Sequence, residues 1–291
     1  MKYHLPHHCV LELTYNCNHA CPFCSCEWLN HPELYRQELS ISEWKELLRI
    51  YAENGVGHFT FSGGEPLLKK GLCELIDYAG NLPQKLDLTL FTNGSLMNED
   101  IWVCLQRNRV QFATSLHSVR KMPFFTGSKT TFSQVMDVVA ESARRGLCTD
   151  VSMTVTKQNF KEIPNVGAAA LLAGADTFLI LSVMAAGRNL HHPDYMLTEE
   201  QNLKIYGYAS TMQKKFPQKK VIPIVEPRCI SCTEKEGIVN ISWDKKCPCL
   251  KTLFTVGPGG WVRPCMHLPK DLIFWRDLDH FYDARQPSVN N

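Results

Sequence analysis

The chain has 291 residues, with 31 lysines and arginines against 29 aspartates and glutamates. A net charge of +2 without a basic run argues against nucleic acid as a partner. The hydrophobic fraction of 44% is enough for a folded core. The sequence does not open with a charged-then-apolar signal layout, so we expect a cytoplasmic protein.

Strand-like and helix-like segments alternate along the first 216 residues. The predicted strands are 10–15, 58–61, 86–91, 110–116, 151–155 and 176–183. Six helices are predicted. The first two span 41–55 and 71–80, the third begins near Asn98, and the fourth runs through Val135 to Ala143. The fifth ends near Gly174, and the sixth extends from about Thr198 to Phe216. Six βα units in order indicate an α/β fold with a parallel sheet and right-handed crossovers. We expect a partial (β/α)6 barrel similar to a TIM barrel, although periodicity alone leaves an open sheet as an alternative.

One apolar stretch, 167–187, has the length of a membrane span. It contains Asp176 beside a Gly-Ala turn, and β-branched and aromatic residues follow. These features favour a helix end, a turn and a buried strand. We therefore expect no membrane partner.

Polar or glycine-rich residues follow most of the predicted strands. They are Cys17 after the first, SGGEP (62–66) after the second, TNG (92–94) after the third, SLHS (115–118) at the end of the fourth, and GRN (187–189) after the sixth. Ligands of parallel sheets gather at the carboxyl ends of the strands, so this is where we expect the functional site.

Thirteen cysteines are many for a cytosolic chain, where disulfides are rare and metal binding or catalysis is the better expectation. They form one cluster at 17–26 and a second at 229–265. The scattered Cys9, Cys73, Cys104 and Cys148 are expected to be small buried hydrophobic residues.

The helix–strand pattern stops after about residue 226. The following segment is rich in Cys, Gly and Pro, and a core of its size is weak without a metal. We therefore divide the chain into a core domain, 1–226, and a small Cys-rich domain with a C-terminal tail, 227–291. Near the end, Phe274, Trp275, Phe281 and Tyr282 predict a helix packed against the barrel.

The first cysteine cluster contains a C-x3-C-x2-C motif made of Cys17, Cys21 and Cys24. Three thiolates on one short loop can bind three irons of a [4Fe–4S] cube and leave the fourth iron open to an external ligand. On spacing alone, a zinc site completed by Cys26 is a serious alternative.

The cysteine motif after the first strand, followed by S62-G63-G64-E65-P66 after the second, resembles the radical S-adenosylmethionine (SAM) superfamily. The resemblance covers nearly the whole chain. It implies that Cys17, Cys21 and Cys24 hold the cluster and that the open iron chelates SAM. One electron from a reductant such as flavodoxin or ferredoxin then yields a 5′-deoxyadenosyl radical, which abstracts a hydrogen atom from the substrate.

The resemblance also implies a set of SAM-binding residues. Gly63 and Gly64 would let the backbone approach SAM, with Glu65 nearby, and Pro66 would fix the turn. Phe23 resembles the aromatic residue that packs near the adenine. The remaining expected cofactor-binding residues are Ser62, Thr92, Asn93, Ser115, His117, Ser152 and Arg188, of which Arg188 can pair with the SAM carboxylate. The alternatives are a tight turn for the 62–66 loop, a hydrophobic plug for Phe23 and ordinary strand-end polar residues for the others.

The second cysteine cluster fits a C-x12-G-x4-C pattern over Cys247, Gly260 and Cys265. It resembles the opening of the SPASM and twitch domains that hold auxiliary [4Fe–4S] clusters behind radical SAM cores. Residues 266–291 contain no cysteine, so we expect one auxiliary cluster on Cys229, Cys232, Cys247 and Cys265. Cys249 is the rival ligand, and a zinc ribbon is the alternative.

Three functions are compatible with these sequence features. The first is a peptide maturase that forms crosslinks or thioethers, or epimerises residues, with recognition by a partner protein or by the barrel mouth. The second is a radical SAM dehydrogenase or epimerase acting on a small molecule such as an aminoglycoside-like carbinol. The third is a non-enzymatic zinc-binding module, against which the Gly-Gly-Glu-Pro loop and the six βα units argue.

Overall fold

The fold was analysed in a computed structural model that describes residues 4–26, 38–225, 232–235, 238–241, 249–267 and 271–285. The β-strands are β1 (His8–Glu12), β2 (His58–Ser62), β3 (Asp87–Phe91), β4 (Gln111–Ser115), β5 (Thr149–Val155), β6 (Thr177–Ser182), β7 (Lys220–Ile224), β8 (Cys232–Lys235), β9 (Ile238–Ile241), β10 (Leu253–Val256), β11 (Trp261–Arg263) and β12 (Ile273–Phe274). The α-helices are α1 (Ile41–Glu53), α2 (Leu72–Gly80), α3 (Glu99–Arg107), α4 (Met122–Thr126), α5 (Phe132–Arg144), α6 (Ile163–Leu172), α7 (Glu199–Lys215) and α8 (Leu278–Arg285).

Ten strands form one sheet in the order β12-β11-β10-β1-β2-β3-β4-β5-β6-β7. The strands from β10 through β1 to β7 are parallel, whereas β11 and β12 run antiparallel. Helices connect the successive parallel strands β1 to β7. The prediction of an α/β fold with a parallel, partial-barrel sheet is confirmed, and β7 adds a strand that was not predicted.

The predicted helices form where their apolar faces can pack. In α1, Trp44, Leu47, Leu48 and Tyr51 are buried, and Ser40 begins the helix with a capping box to Glu43. The apolar stretch 167–187 includes part of α6, a turn at Gly174 and β6, as predicted. In the described part of the chain, no helix combines the length and apolar character that crossing a bilayer requires.

The inner face of the sheet carries a chain of hydrogen bonds between neighbouring strands. His8 Nε2 lies 2.8 Å from Thr60 Oγ1, and His58 Nε2 lies 2.9 Å from Thr89 Oγ1. The amide of Gln111 donates to Asp150 at 2.6 Å. These polar contacts lie near the amino ends of the strands and leave the carboxyl ends for the loops of the candidate site.

The C-terminal segment joins the main sheet and its core. β10 pairs in parallel with β1, with Val10 opposite Thr255. Trp275 and Phe281 are buried in the cluster that contains Tyr51, whose hydroxyl donates to the Trp275 carbonyl at 3.2 Å. The predicted terminal helix is present only in its second half, as α8, which packs against the barrel through Phe281. The prediction was wrong for Phe274, which lies in β12 because that strand pairs with β11.

Candidate active site

The loop that carries Cys17, Cys21 and Cys24 follows β1 at the carboxyl edge of the sheet. Cys17 is exposed, and the other two are partly exposed. The loop is anchored on α4, because the Ala20 amide donates to the Thr126 carbonyl at 2.8 Å. Helix α4 was not predicted as a separate element, and its role here is to support the cysteine loop.

The three thiols influence one another electrostatically. Burial raises the pKa of Cys17 and of Cys21, and the charge of Cys24 raises both further. A hydrogen bond from Cys26 lowers the pKa of Cys24 to about 7. Arg188 lowers the pKa of all three. The three thiols of the motif therefore lie beside the cation of Arg188, with the Cys26 thiol as a fourth neighbour. Soft thiols of this kind suit an anionic iron–sulfur group and, by donor type alone, also zinc.

The 62–66 loop packs directly on the segment that leads into Cys17. The Gly64 amide donates to the Thr14 carbonyl at 2.7 Å, and the Glu65 amide donates to the Asn16 carbonyl at 2.8 Å. A Cβ on Gly63 would lie 2.5 Å from the Thr14 oxygen, and one on Gly64 would lie 2.2 Å from the Asn16 oxygen. Both glycines are therefore required by this loop–loop contact, independently of any cofactor.

Glu65 is fully buried and connects two loops of the site. Its carboxylate accepts hydrogen bonds from the Thr92 hydroxyl at 2.6 Å, the Asn93 amide at 2.8 Å and the Leu67 amide at 3.0 Å. Burial raises the pKa of Glu65, and these donors oppose the rise. Pro66, also buried, begins the short 3-10 helix Pro66–Leu68. Ser62, the last residue of β2, is buried too, and its carbonyl accepts from the Leu13 amide at 3.0 Å.

Asn18 joins the cysteine loop to the loop after β3. Its side-chain oxygen accepts from Asn93 Nδ2 at 2.8 Å, and its amide donates to Ser95 Oγ at 2.8 Å. Sequence reasoning missed Asn18 because an asparagine between cysteines carries no motif of its own. Its position inside the C-x3-C spacing was the one available signal.

Phe23 and His117 meet on the side of the cysteine loop that faces β4. Their rings are 4.8 Å apart in an edge-to-face arrangement, and Phe23 also packs with Phe125 and Tyr195. His117 Nδ1 accepts from the Thr154 amide at 3.2 Å. Burial lowers the pKa of His117 to about 3, so the ring is neutral at ordinary pH.

Two further candidates lie opposite each other on adjacent strands. Ser115 on β4 is in register with Ser152 on β5, and their hydroxyl oxygens are 3.1 Å apart. Ser152 is buried, and Ser115 is partly exposed. The pair therefore joins the carboxyl end of β4 to the middle of β5 through polar side chains.

The loop after β6 contacts the cysteine loop from the other side. The Arg188 amide donates to the Cys24 carbonyl at 2.9 Å, and its guanidinium donates to the Cys21 carbonyl at 3.4 Å. A Cβ on Gly187 would lie 2.5 Å from the Cys24 oxygen, and Gly187 has a positive φ of 56°. The structure therefore brings together the candidates after strands β1, β2, β3 and β6 around the three thiols.

The second cysteine cluster lies partly outside the described residues. Cys229 and Cys247 fall there, as does the side chain of Cys232, whereas Cys249 and Cys265 are described and buried. Gly260 has a positive φ of 83° in the β10–β11 turn, and a Cβ there would lie 2.5 Å from Trp275. Within the described ranges, no three His, Cys, Asp or Glu side chains are grouped as ligands of a single metal ion.

A buried ion pair near the site was also missed from sequence. Glu12, the last residue of β1, pairs with Arg263 on β11, and both side chains are almost fully buried. The pair exists because β10 brings β11 close to β1, which a pattern of local periodicity cannot reveal. It ties the C-terminal segment to the strand that leads into the cysteine loop.

Relatives with similar sequences carry names from peptide biosynthesis. The chain is 27% identical over 292 residues to the subtilosin biosynthesis protein AlbA of Bacillus subtilis, covering 97% of this chain and 60% of AlbA. It is 27% identical over 262 residues to the PqqA peptide cyclase of Xanthomonas euvesicatoria, covering 88% of this chain and 67% of the cyclase. The chain thus spans only part of the length of these relatives.

Solved structures with the same fold include two SAM-bound proteins. Streptococcus suis SuiB with S-adenosylmethionine superposes with a TM-score of 0.74 at 16% identity, over 96% of this chain and 64% of SuiB. Native anSMEcpe with bound AdoMet gives a TM-score of 0.70 at 18% identity, over 95% of this chain and 80% of that one. Residues 11–168 match the family described as "Radical SAM superfamily", which is more than half of the chain. The chain belongs to the radical SAM superfamily.

Proposed function

We propose that this chain is a radical SAM maturase that modifies a ribosomally made peptide by forming a crosslink or thioether or by epimerising a residue. The observation that carries the proposal is the similarity to AlbA over 97% of this chain. The names of the PqqA peptide cyclase and of the sporulation killing factor maturation protein SkfB, 28% identical over 187 residues, support the same substrate class.

The family implies a [4Fe–4S] cluster and SAM, and we assign the cluster to Cys17, Cys21 and Cys24. Their position on one loop, their mutual electrostatic influence and the neighbouring Arg188 support this assignment. A cube takes one thiolate on each of three irons, so its ligands need not converge on a single point.

When bound, the cluster and SAM supply a 5′-deoxyadenosyl radical that abstracts a hydrogen atom. The protein's own residues bind, orient and exclude water. Phe23 and His117 provide an aromatic wall for the adenine side, and neutral His117 offers no charge there. Arg188 provides the cation for the SAM carboxylate.

The remaining SAM contacts are assigned to the loops after β2 and β3 and to the β4–β5 serines. The assigned residues are Ser62, Gly63, Gly64, Glu65, Pro66, Thr92, Asn93, Ser115 and Ser152. Glu65 acts indirectly, because its carboxylate oxygens already accept hydrogen bonds from Thr92, Asn93 and Leu67. It therefore fixes the positions of two loops around the cofactor.

We further propose one auxiliary [4Fe–4S] cluster in the C-terminal domain 227–291, of which β10–β12 extend the sheet of the 1–226 core. The proposed ligands are Cys229, Cys232, Cys247 and Cys265, with Cys249 as the rival for one place. The buried positions of Cys249 and Cys265 beside the β10–β11 turn are compatible with either set. A flavodoxin- or ferredoxin-type reductant in the cytoplasm would supply the electron.

Anaerobic reconstitution tests the proposal. The protein is incubated with SAM, a strong reductant and either a short peptide encoded beside its gene or an aminoglycoside-like sugar. We expect 5′-deoxyadenosine together with a peptide that has lost two hydrogens, or with a peptide whose mass is unchanged in H2O and raised by one deuterium in D2O.

The variant Cys21→Ala is the control and should form no 5′-deoxyadenosine. Modification of the sugar instead of the peptide would overturn the substrate class. Absence of 5′-deoxyadenosine from the iron-loaded protein, or zinc without iron after purification, would overturn the assignment of the cysteine loop.

A further inference from the structure

Two cysteines outside both clusters are neighbours in the layer of helices that covers the sheet. Cys73 is the second residue of α2, and Cys104 lies on α3, which packs beside α2. The Cys104 thiol donates to the Cys73 carbonyl oxygen at 3.8 Å, and the two thiols are close enough to interact electrostatically. Both were expected to be merely buried hydrophobic residues, yet Cys73 is partly exposed.

Polar contacts hold α2 and α3 close together. Asp77 on α2 accepts from Arg107 Nε at 2.7 Å and from Asn108 Nδ2 at 2.6 Å. Further along, a Cβ on Gly80 would lie 2.3 Å from Asn108 Oδ1, so the glycine permits the close approach. The two cysteines therefore lie in the close-packed interface between α2 and α3, whose spacing these contacts fix.

The environments of the two thiols differ. The neighbouring Cys104 thiol is the main reason that the pKa of Cys73 is lowered, to about 7; Arg107 acts in the same direction, while burial, Asp77 and Asp100 oppose the shift. Cys73 also lies in the first turn of its helix, where the helix dipole stabilises a thiolate. Cys104 is buried and its pKa is raised, so it remains a thiol. This is the arrangement of an attacking cysteine and a resolving cysteine.

We propose that Cys73 and Cys104 form a peroxide-reactive dithiol that closes to a disulfide between α2 and α3. The Cys73 thiolate attacks a hydrogen peroxide oxygen, forming a sulfenic acid and releasing hydroxide. The Cys104 sulfur then attacks the Cys73 sulfur, forming the S–S bond and releasing water. Two thiols lose two electrons and two protons, and one peroxide becomes two waters. A dithiol reductant reverses the reaction.

The other described cysteines outside the clusters provide internal controls. Cys148 is exposed, and burial of its sulfur together with Asp150 and Asp176 raises its pKa. Cys9 is fully buried, and burial raises its pKa. Accessibility alone therefore predicts that Cys148 reacts fastest, whereas the proposed dithiol predicts that Cys73 does.

The test uses the iron-loaded protein, treated briefly without air with one equivalent of hydrogen peroxide and then denatured in N-ethylmaleimide, so that buried thiols are blocked as well. Trypsin cuts after Lys70, Lys85 and Arg107, so Cys73 and Cys104 fall on the separate peptides 71–85 and 86–107. We expect these peptides to appear as a linked pair two hydrogens lighter than their sum, and to separate after dithiothreitol. Without peroxide, at about pH 7.5, the rate at which N-ethylmaleimide labels Cys73 should be at least about three times the rate for Cys148. The larger thiolate fraction of Cys73 outweighs the lower nucleophilicity of its thiolate.

Variants separate the two roles. In Cys104→Ser, dimedone should trap a sulfenic acid on Cys73; in Cys73→Ser, Cys104 should stay reduced; and Cys148→Ser should leave the linked pair unchanged. Full maleimide labelling of Cys73 and Cys104 after peroxide would overturn the proposal. Slower labelling of Cys73 than of Cys148 in the unaltered protein would also overturn it, without relying on any variant.

Discussion

Gly64 has an ordinary backbone conformation, so its requirement is purely steric. The space that its side chain would occupy is filled by the Asn16 carbonyl, one residue before Cys17. The sequence suggested close approach to a cofactor, and the structure adds a closer neighbour in the protein itself. Short-range motifs reveal which residue is special, but the reason depends on a contact almost fifty positions away.

Gly64→Ala should therefore disturb the cysteine loop. Overpacking of this kind costs about 1–3 kcal/mol of stability, and the shifted Cys17 should also reduce iron content after reconstitution. Gly207→Ala on α7 is the matched control, because no atom lies within 4 Å of the added Cβ. That change should raise stability by about 0.5–1 kcal/mol and leave the iron content unchanged. Equal iron content in both variants would contradict the steric argument.

Glu65→Gln should weaken the joint between the loops after β2 and β3. A glutamine offers one acceptor oxygen where the carboxylate offers two, so either the Asn93 amide or the Leu67 amide loses its acceptor, and the Thr92 hydroxyl no longer donates to a charged oxygen. The expected loss is about 1–3 kcal/mol in the free energy of unfolding, measured by urea denaturation. A double-mutant cycle with Thr92→Val checks the cause, since additive effects of the two changes would show that they are not coupled through this hydrogen bond.

At the scale of elements, the alternation of strands and helices could be predicted because each has a strong local period. Strand β7 was missed because KVIPI contains a proline and lies at the sheet edge, where a lost amide is tolerated. The pairing of β10 with β1 could not be predicted, because it joins segments about 245 residues apart that have no local signal.

The terminal helix α8 should contribute strongly to stability although it lies at the far end of the described chain. Phe281 is 1% exposed and packs edge-to-face on Phe254. Phe281→Ala should lower the free energy of unfolding by about 3–5 kcal/mol. Leu203→Ala on α7, where the side chain is 65% exposed, should change it by less than about 0.5 kcal/mol. Similar midpoints for the two variants in thermal unfolding would show that α8 does not belong to the core.

At the scale of the whole molecule, the fold holds five of the described histidines neutral. Burial is the main cause of the lowered pKa of each of them, namely His8, His19, His58, His117 and His267. The unfolded chain binds these protons at higher pH than the folded chain does. Stability is therefore unaffected above the ordinary histidine pKa of about 6.5 and falls as the pH drops below it.

His117 makes the clearest test, since it is fully buried and its pKa is about 3. Between about pH 6 and pH 4 it should contribute a loss of about 1.4 kcal/mol per pH unit. Urea unfolding of His117→Gln, whose side chain has no titrating group, should show a correspondingly flatter pH dependence. An unchanged slope would mean that His117 is protonated in the folded protein.

The candidate site illustrates what a single sequence can and cannot provide. The three cysteines and the 62–66 loop were found because their spacing is constrained by chemistry. Asn18, Glu12 and Arg263 were not, because each matters only through a partner that the fold brings near. The sequence therefore identifies the candidate reactive residues, and the structure identifies the residues that position them.

The position of β10 beside β1 has a consequence for synthesis on the ribosome. One edge of β1 is completed early, by β2, but the other stays open until Leu253–Val256 has been translated. Until then, the nascent chain exposes an apolar strand whose backbone can recruit a foreign strand. The cysteine loop that follows β1 therefore gains its last neighbouring strand only after residue 256 has been translated.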